Sequence, residues 1–300
     1  MRRRKYVQML GVGGSLSVAG CAGTRLPATD ADRPVKTLTL ATATTAHDSG
    51  LLGALTPEFE ASFGATLKTV VRGTGAALRT ARDGDCDVVL VHARPLENEF
   101  IRAGHGINRR RLMVNDFMIV GPSDDPAGVT ERSPTGAFRA IAEAEVPFLS
   151  RGDRSGTHLR ERQVWAETGI TPSGAWYRET GQGMGSTLVT AEQIGAYTLS
   201  DRGTFLNVSS DGPLAAHVAG GLADPPPLLR NDYAVIPVNP ARHESAYPLA
   251  MGFAGYLTGP GQAAIAEFEV NGMQAFRPTA LSPRPNFGQY VPTGWPGERR

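Results

Sequence analysis

Three short segments of this chain place hydroxyls, glycines and an arginine where an apolar run gives way to a helix-like stretch. The first is Ala41-Thr42-Ala43-Thr44-Thr45-Ala46-His47-Asp48-Ser49-Gly50, with four hydroxyl residues in eight positions. The second is Arg72-Gly73-Thr74-Gly75-Ala76-Ala77-Leu78, and the third is Arg151-Gly152-Asp153-Arg154-Ser155-Gly156-Thr157-His158. All three are rich in donors. Ser and Thr at a helix start either cap free N–H groups or join those groups and the helix dipole in receiving an anion. One cap uses one hydroxyl, so the surplus in the first segment favours a small oxyanion, and the arginine in the third adds charge-assisted bonds. Hydrogen bonds to a charged group contribute about 1.5–3 kcal/mol each, and nanomolar binding needs about 12 kcal/mol. Roughly six to eight donors of this kind are enough.

Catalysis is poorly served by comparison. A nucleophile needs a base held by an orienting group, and His47, His92, His105, His158, His217 and His243 show no nucleophile-elbow context. No Gly-x-x-x-x-Gly-Lys loop is present, and Cys21 and Cys86 have no zinc-type spacing. No catalytic residue, cation site or cofactor is therefore expected. Cys86 lies in an apolar run, where a free thiol behaves as a small hydrophobe. The Arg-Gly-Asp letters at 151–153 match an adhesion triplet, but the Ser-Gly-Thr behind them reads as a helix start.

These segments need a scaffold of strands and helices. The pattern predicts strands over 37–41, 66–71 and 86–91 alternating with helices over 50–63 and 74–83, an order that calls for a parallel α/β sheet. A strand over 115–120 stops at Gly121-Pro122. A second set follows, with helices over 135–144, 155–167 and 185–193 and strands over 146–150 and 196–200. A return strand over 233–238 and helices over 248–257 and 261–268 complete the first set. The expected architecture is a two-lobed α/β clamshell with two crossover strands: lobe I from 37–115 and 232–280, lobe II from 116–231. Ligands of such sheets bind at strand carboxyl ends, here in the interlobe cleft. Residues 281–300 read as an extended tail.

The chain has 300 residues and a formal charge of +1, from 30 basic and 29 acidic side chains. Four of the basic residues, Arg2, Arg3, Arg4 and Lys5, precede any acid, so the remainder is slightly acidic. It lacks a basic stripe, which argues against nucleic acid as a partner. Residues 1–21 read as a signal peptide: a basic start, a short apolar stretch, then Val18-Ala19-Gly20-Cys21, a lipobox-like sequence in which Cys21 is lipidated. The paired arginines also resemble a twin-arginine export signal. The alternative is a soluble secreted protein cut elsewhere. Residues 22–36 read as a tether to the membrane.

From about residue 38 to 276 the chain resembles the tungstate-binding proteins of the TupA type, within the type II periplasmic-binding-protein fold. The resemblance rests on seven blocks in order: 41–52, 73–78, 84–92, 115–122, Arg151–His158, 179–185 and 197–204. It implies an exported, monomeric solute-binding protein, lipid-anchored on the outer face of the membrane, that delivers tungstate or molybdate to an ABC permease. The family's Thr-Thr-Thr-Ser motif stands here as Thr42-Ala43-Thr44-Thr45, one hydroxyl fewer. By the resemblance, Arg151 carries the charge, Ser155 and Thr157 donate from lobe II, and Thr74 and Gly75 add a hydroxyl and an amide from lobe I. Gly183 and Met184 belong to the family's glycine turn, which supplies further amides or serves tight packing.

Other readings compete. Phosphate-binding proteins share an Arg-x-Asp-x-Ser-Gly-Thr pattern, which residues 151–157 fit, and sulfate suits a site made of donors only. Monohydrogen phosphate carries a proton and needs an acceptor, for which Asp48 and Asp153 are candidates. An enzyme acting on an anionic substrate would use His158 or His92 as base. A sensor lobe would come fused to a signalling domain, which these residues do not include.

Overall fold

The computed structural model describes residues 36–282; the expected signal peptide, Cys21, the tether up to residue 35 and the tail beyond residue 282 lie outside them. The first half-sheet is built from β1 (Lys36–Ala43), β2 (Ala65–Arg72) and β3 (Val88–Val91), with α1 (Thr44–Asp48), α2 (Leu51–Phe63), α3 (Thr74–Asp83) and α4 (Arg94–Arg102) between and after them. β1 lies between β2 and β3 and is parallel to both. β4 (Arg110–Pro122) leads into the second half, which holds α5 (Pro134–Ala144), β5 (Phe148–Ser150), α6 (Gly156–Thr168), β6 (Tyr177–Glu179), α7 (Met184–Ile194), β7 (Tyr197–Asp201), α8 (Arg202–Val208) and β8 (Leu214–Ala219). The chain then returns through β9 (Arg230–Pro237), α9 (Tyr247–Thr258), α10 (Gly261–Glu267), the short pair β10 (Glu269–Val270) and β11 (Met273–Gln274), and β12 (Arg277–Pro278).

The strands follow the order β2-β1-β3-β9-β4-β7-β5-β6, with β8 and β12 also on β4. β9 is antiparallel to both β3 and β4, and β4 is antiparallel to β7 and β8. The sheet is therefore mixed rather than wholly parallel, because the chain must cross over and come back. Residues 110–116 of β4 pair with β9, and residues 117–122 pair with β7 and β8. One strand thus belongs to both halves. Its side chains are buried almost throughout, and the apolar run is broken only by Asn115-Asp116 in the middle. Asp116, fully buried, accepts both branches of the Arg202 guanidinium (2.6 and 3.0 Å) and the Gly221 amide (2.8 Å).

Local chemistry sets the helix ends. α3 presents Ala77, Leu78 and Ala81 to the core and stops at Gly84, whose φ of 88° an L side chain rarely adopts. α6 starts at Ser155, whose side chain accepts the His158 amide (3.2 Å). The strand expected from residue 86 begins at Val88. The backbone before it is held by Asp87, which accepts from Thr39 N and Ala246 N (both 2.7 Å), and Cys86 is buried beside the strand. Lys36, expected in the tether, already belongs to β1.

Apolar packing is divided unequally. An aromatic cluster of Phe138, Phe148 and Trp165 fills the second lobe, with Phe138 and Trp165 centred 4.4 Å apart. A larger cluster joins Leu51, Phe59 and Phe253 of the first lobe to Met184, Leu188 and Phe205 of α7 and α8. Among the described residues no helix is long and apolar enough to cross a membrane.

Glu161, on α6, is buried behind the end of β5 and accepts from Tyr177 Oη (2.8 Å) and Trp165 Nε1 (3.2 Å). Burial nevertheless outweighs these bonds and the one from Ser150, and raises its pKa from 4.5 to about 7. In this window the native chain holds a proton that the unfolded chain has released, so folding loses stability as pH rises through it. Wild type should lose on the order of 3 kcal/mol relative to Glu161→Gln between about pH 5 and pH 8. Thermal denaturation of both across that range checks this, and a pH-independent difference would count against it.

Candidate functional site

Strand register brings the three donor segments together. β3 ends at Val91, opposite Ala234 of β9, and β7 ends at Asp201, opposite Phe117 of β4. Between these points Asn115 pairs with Asn231. The carboxyl ends of strands from both lobes thus arrive at the middle of β4, and the segments that follow them face each other across a seam.

Contacts across the seam form a closed ring. Gly73, before α3, is so close to the third segment that a Cβ there would lie 3.4 Å from Asp153 Oδ2 and 3.7 Å from Ser155 Cβ. A Cβ on Gly75 would lie 3.4 Å from the Arg154 carbonyl, and one on Gly183, before α7, 3.8 Å from Thr44 Cγ2. Arg151 spans the middle: Nε donates to the Gln182 carbonyl (3.3 Å) and Nη2 to Asp153 Oδ2 (2.5 Å). Gly156 packs on the ring of His92, and His92 Nε2 accepts from Thr45 Oγ1 (3.1 Å).

The hydroxyls singled out from the sequence divide in two. Thr42 Oγ1 donates to the Leu90 carbonyl (3.2 Å), tying β1 to β3. Thr45 Oγ1 donates to His92 and accepts from Tyr233 Oη (3.2 Å), and Ser155 Oγ caps α6. By contrast Thr44 Oγ1, Thr74 Oγ1, Thr157 Oγ1 and Arg151 Nη1 are buried and have no hydrogen-bond partner among the described residues. Together they come from all three donor segments, Arg151 and Thr157 from the same one. Buried polar atoms left unsatisfied cost roughly 1–3 kcal/mol each, so a cluster of them marks a place where the fold is arranged for something else. α3 and α7 start at Gly73 and Gly183 with no side-chain cap, which leaves their first amides free of side-chain competition. Met184 itself is fully buried in the apolar cluster, so its contribution is confined to its backbone.

Comparison with known proteins bears on what such a seam does. A family model described as a PBP superfamily domain matches residues 28–260. A Haloferax volcanii protein, provisionally named an ABC transporter anion-binding protein, is 50% identical over 99% of this chain and 92% of its own. The tungstate-binding protein TupA of Peptoclostridium acidaminophilum is 42% identical over 77% of this chain and 81% of its own. The crystal structure of the tungstate ABC transporter from Geobacter sulfurreducens is 41% identical, covers 75% of this chain and 95% of that one, and has a TM-score of 0.69.

This chain belongs to the TupA family of the PBP superfamily.

In this member of the TupA family one guanidinium dominates the electrostatics. Arg151 is 1% exposed. The carboxylates around it are already engaged: Asp153 by Arg151 and the Ser155 amide (3.0 Å), Asp201 by Thr204 N (3.1 Å) and Thr204 Oγ1 (2.8 Å). Burial raises the Asp201 carboxyl to about 6 against the pull of Thr204 and Arg151. It raises Asp48 too, against His47, Arg151 and the Gly185 amide. Burial also lowers His92 to about 4, which keeps the imidazole neutral at physiological pH.

His92, Asn231, Tyr233 and Asn115 form a buried polar network, of which the sequence had singled out only His92, and that as a base in the competing enzyme reading. His92 Nδ1 donates to Asn231 Oδ1 (2.8 Å), and Asn231 Nδ2 donates to Asn115 Oδ1 (2.8 Å) and Tyr233 Oη (3.2 Å). One signal was available for His92: it directly follows the apolar run Val88–Val91, at the strand end where ligands of open sheets are bound. The asparagines carry no such mark, since Asn115 and His92 each lie more than 100 residues from Asn231.

Thr74→Val and Thr157→Val each remove an unpartnered hydroxyl and keep the β-branched shape. In the absence of ligand each should stabilise the protein by about 1 kcal/mol. Urea unfolding measures this, and a loss of stability would show that the hydroxyls are already satisfied.

Proposed function

We propose that this TupA-family chain is the extracytoplasmic solute-binding protein of an ABC importer and binds tungstate, or the nearly isosteric molybdate, in the interlobe seam. The observation that carries this reading is the set of four buried atoms, Thr44 Oγ1, Thr74 Oγ1, Thr157 Oγ1 and Arg151 Nη1, each able to donate and each without a partner among the described residues. Amides at Gly75, Gly183 and Met184 complete the donor set, while Thr42, Thr45 and Ser155 hold its walls. A fully deprotonated tetrahedral oxyanion only accepts hydrogen bonds and matches a receptor of this kind. The first motif then acts through Thr44, with Thr45 turned to His92, and Ala43 adds no hydroxyl.

Monohydrogen phosphate fits less well. It brings a proton that needs an acceptor, and Asp153 already serves Arg151 and the Ser155 amide. Asp48, the other candidate, takes an amide from Gly185. Sulfate shares the charge and shape of tungstate and differs in size. An enzyme is disfavoured because the basic nitrogens of the two histidines nearest the site are engaged, His92 Nε2 by Thr45 and His158 Nδ1 by the Arg154 amide (3.0 Å).

The mechanism is hinged capture. The open cleft admits the anion, donors from both lobes close on it, and the closed form docks on the permease. Only contacts that exist in the closed state let the ligand drive closure. Cys21 anchors the protein to the outer face of the membrane through its lipid, and the protein acts as a monomer.

Isothermal titration of the purified chain with tungstate, molybdate, sulfate and phosphate tests the reading. Nanomolar tungstate binding with weak phosphate is expected, whereas tight phosphate and weak tungstate would assign a different oxyanion. Arg151→Ala should weaken tungstate binding by at least about 100-fold, and Arg154→Ala, at an exposed position, by less than about threefold. Equal small losses would remove Arg151 from the site.

A further inference from the structure

His92 is held on three sides. Nδ1 donates to Asn231, Nε2 accepts from Thr45, and the ring stacks on Tyr233 at 4.9 Å between centroids and 12° between planes. Phe117 lies beside it, with centroids 6.2 Å apart. The remaining side faces Gly156, the first residue of α6, in the other lobe. A Cβ on Gly156 would fall 2.6 Å from Cε1, 2.8 Å from Nε2 and 2.9 Å from Nδ1. Real Cβ atoms do not come that close, and a ring clamped by two hydrogen bonds and a stack has little room to withdraw. The two lobes therefore meet backbone to imidazole, with no gap left.

The position of this contact gives it a consequence. Thr45, bonded to the ring, follows Thr44, and Gly156 precedes Thr157, so in each lobe an unpartnered donor is next in sequence to the residue that meets the ring. We propose that His92 is a specificity-determining spacer: its ring stops the approach of the lobes and so fixes the distance between their donor sets, and with it the size of oxyanion the seam can grip. This rests on the oxyanion reading above. A smaller anion of the same charge, sulfate, cannot be grasped by both lobes at once, because closure ends on the ring before the donors reach it. Discrimination then comes from a steric stop rather than from an added attraction. Neutrality suits the role, since Nε2 accepts from Thr45 only without a proton, and burial keeps it so.

His92→Asn provides the test. Its amide nitrogen can replace Nδ1 toward Asn231, while the far side of the ring, Cε1 and Nε2, is removed. The full chain is titrated with tungstate and with sulfate, and folding is checked by thermal denaturation. The ratio of sulfate Kd to tungstate Kd should fall at least tenfold in His92→Asn. Gly156→Ala, which pushes the lobes apart, should weaken tungstate at least tenfold in the wild-type background and less than threefold in the His92→Asn background. A ratio unchanged while both affinities fall together, or an equal cost of Gly156→Ala in both backgrounds, would overturn the spacer. If His92→Asn does not fold, wild-type affinities for both anions in Gly156→Ala would overturn it equally. Wild type that binds neither anion would instead remove the functional reading on which the spacer stands.

Discussion

Arg151 is a cation taken almost entirely out of water, and a charge so placed persists only where its surroundings replace the lost hydration. Asp153 takes one nitrogen and the Gln182 carbonyl another, yet Nη1 is left without a partner. Much of the seam follows from this arrangement. Gly156 lets backbone approach where a side chain would hold the lobes apart, whereas at 73, 75 and 183 a Cβ would make only ordinary contact with the facing segment. The carboxylates of Asp153 and Asp201 are each engaged by two local donors, so part of their accepting capacity is already spent within the protein. A protein optimised only for stability would have filled these positions with apolar groups, which often serve a buried site as well or better.

Much of the scaffold was legible because it obeys local rules. α3 runs over Thr74–Asp83 as its pattern requires, bounded by two glycines, and α6 begins behind Ser155. Elements that escaped reading have physical reasons for doing so. α4 buries Glu97 and Asn98 beside Phe100, and Glu97 is paired with Arg109 (2.7 Å), so its inward face does not look apolar. β6 is three residues long and largely exposed, and β8 is built from small residues with a histidine among them. α8 is announced by Asp201, which caps it, in a stretch that otherwise continues a strand.

The site was legible as composition and less so as wiring. Sequence places Thr42, Thr44, Thr45 and Ser155 where hydroxyls could meet a ligand, but it does not say which of them the protein itself consumes. That depends on neighbours remote in the chain: Leu90 for Thr42, His92 and Tyr233 for Thr45. The network joining His92 to Asn115 and Asn231 is likewise a product of β9 lying between β3 and β4. A single sequence does not display such pairings, because each partner is an ordinary residue type in its own segment.

The place of β9 also bears on the order in which the molecule can be assembled. β3 has its second neighbour only in β9, so that edge of the first half-sheet stays unpaired until residues up to 237 have been synthesised, long after β1, β2 and β3. Unpaired strand edges invite association with other chains. The β4–β7 and β4–β8 pairings need nothing beyond residue 219, and can form while synthesis continues. The half-sheet that carries Thr44 and Thr74 is thus completed only when β9 arrives, and the nascent chain carries an aggregation-prone edge while the residues between β3 and β9 are made.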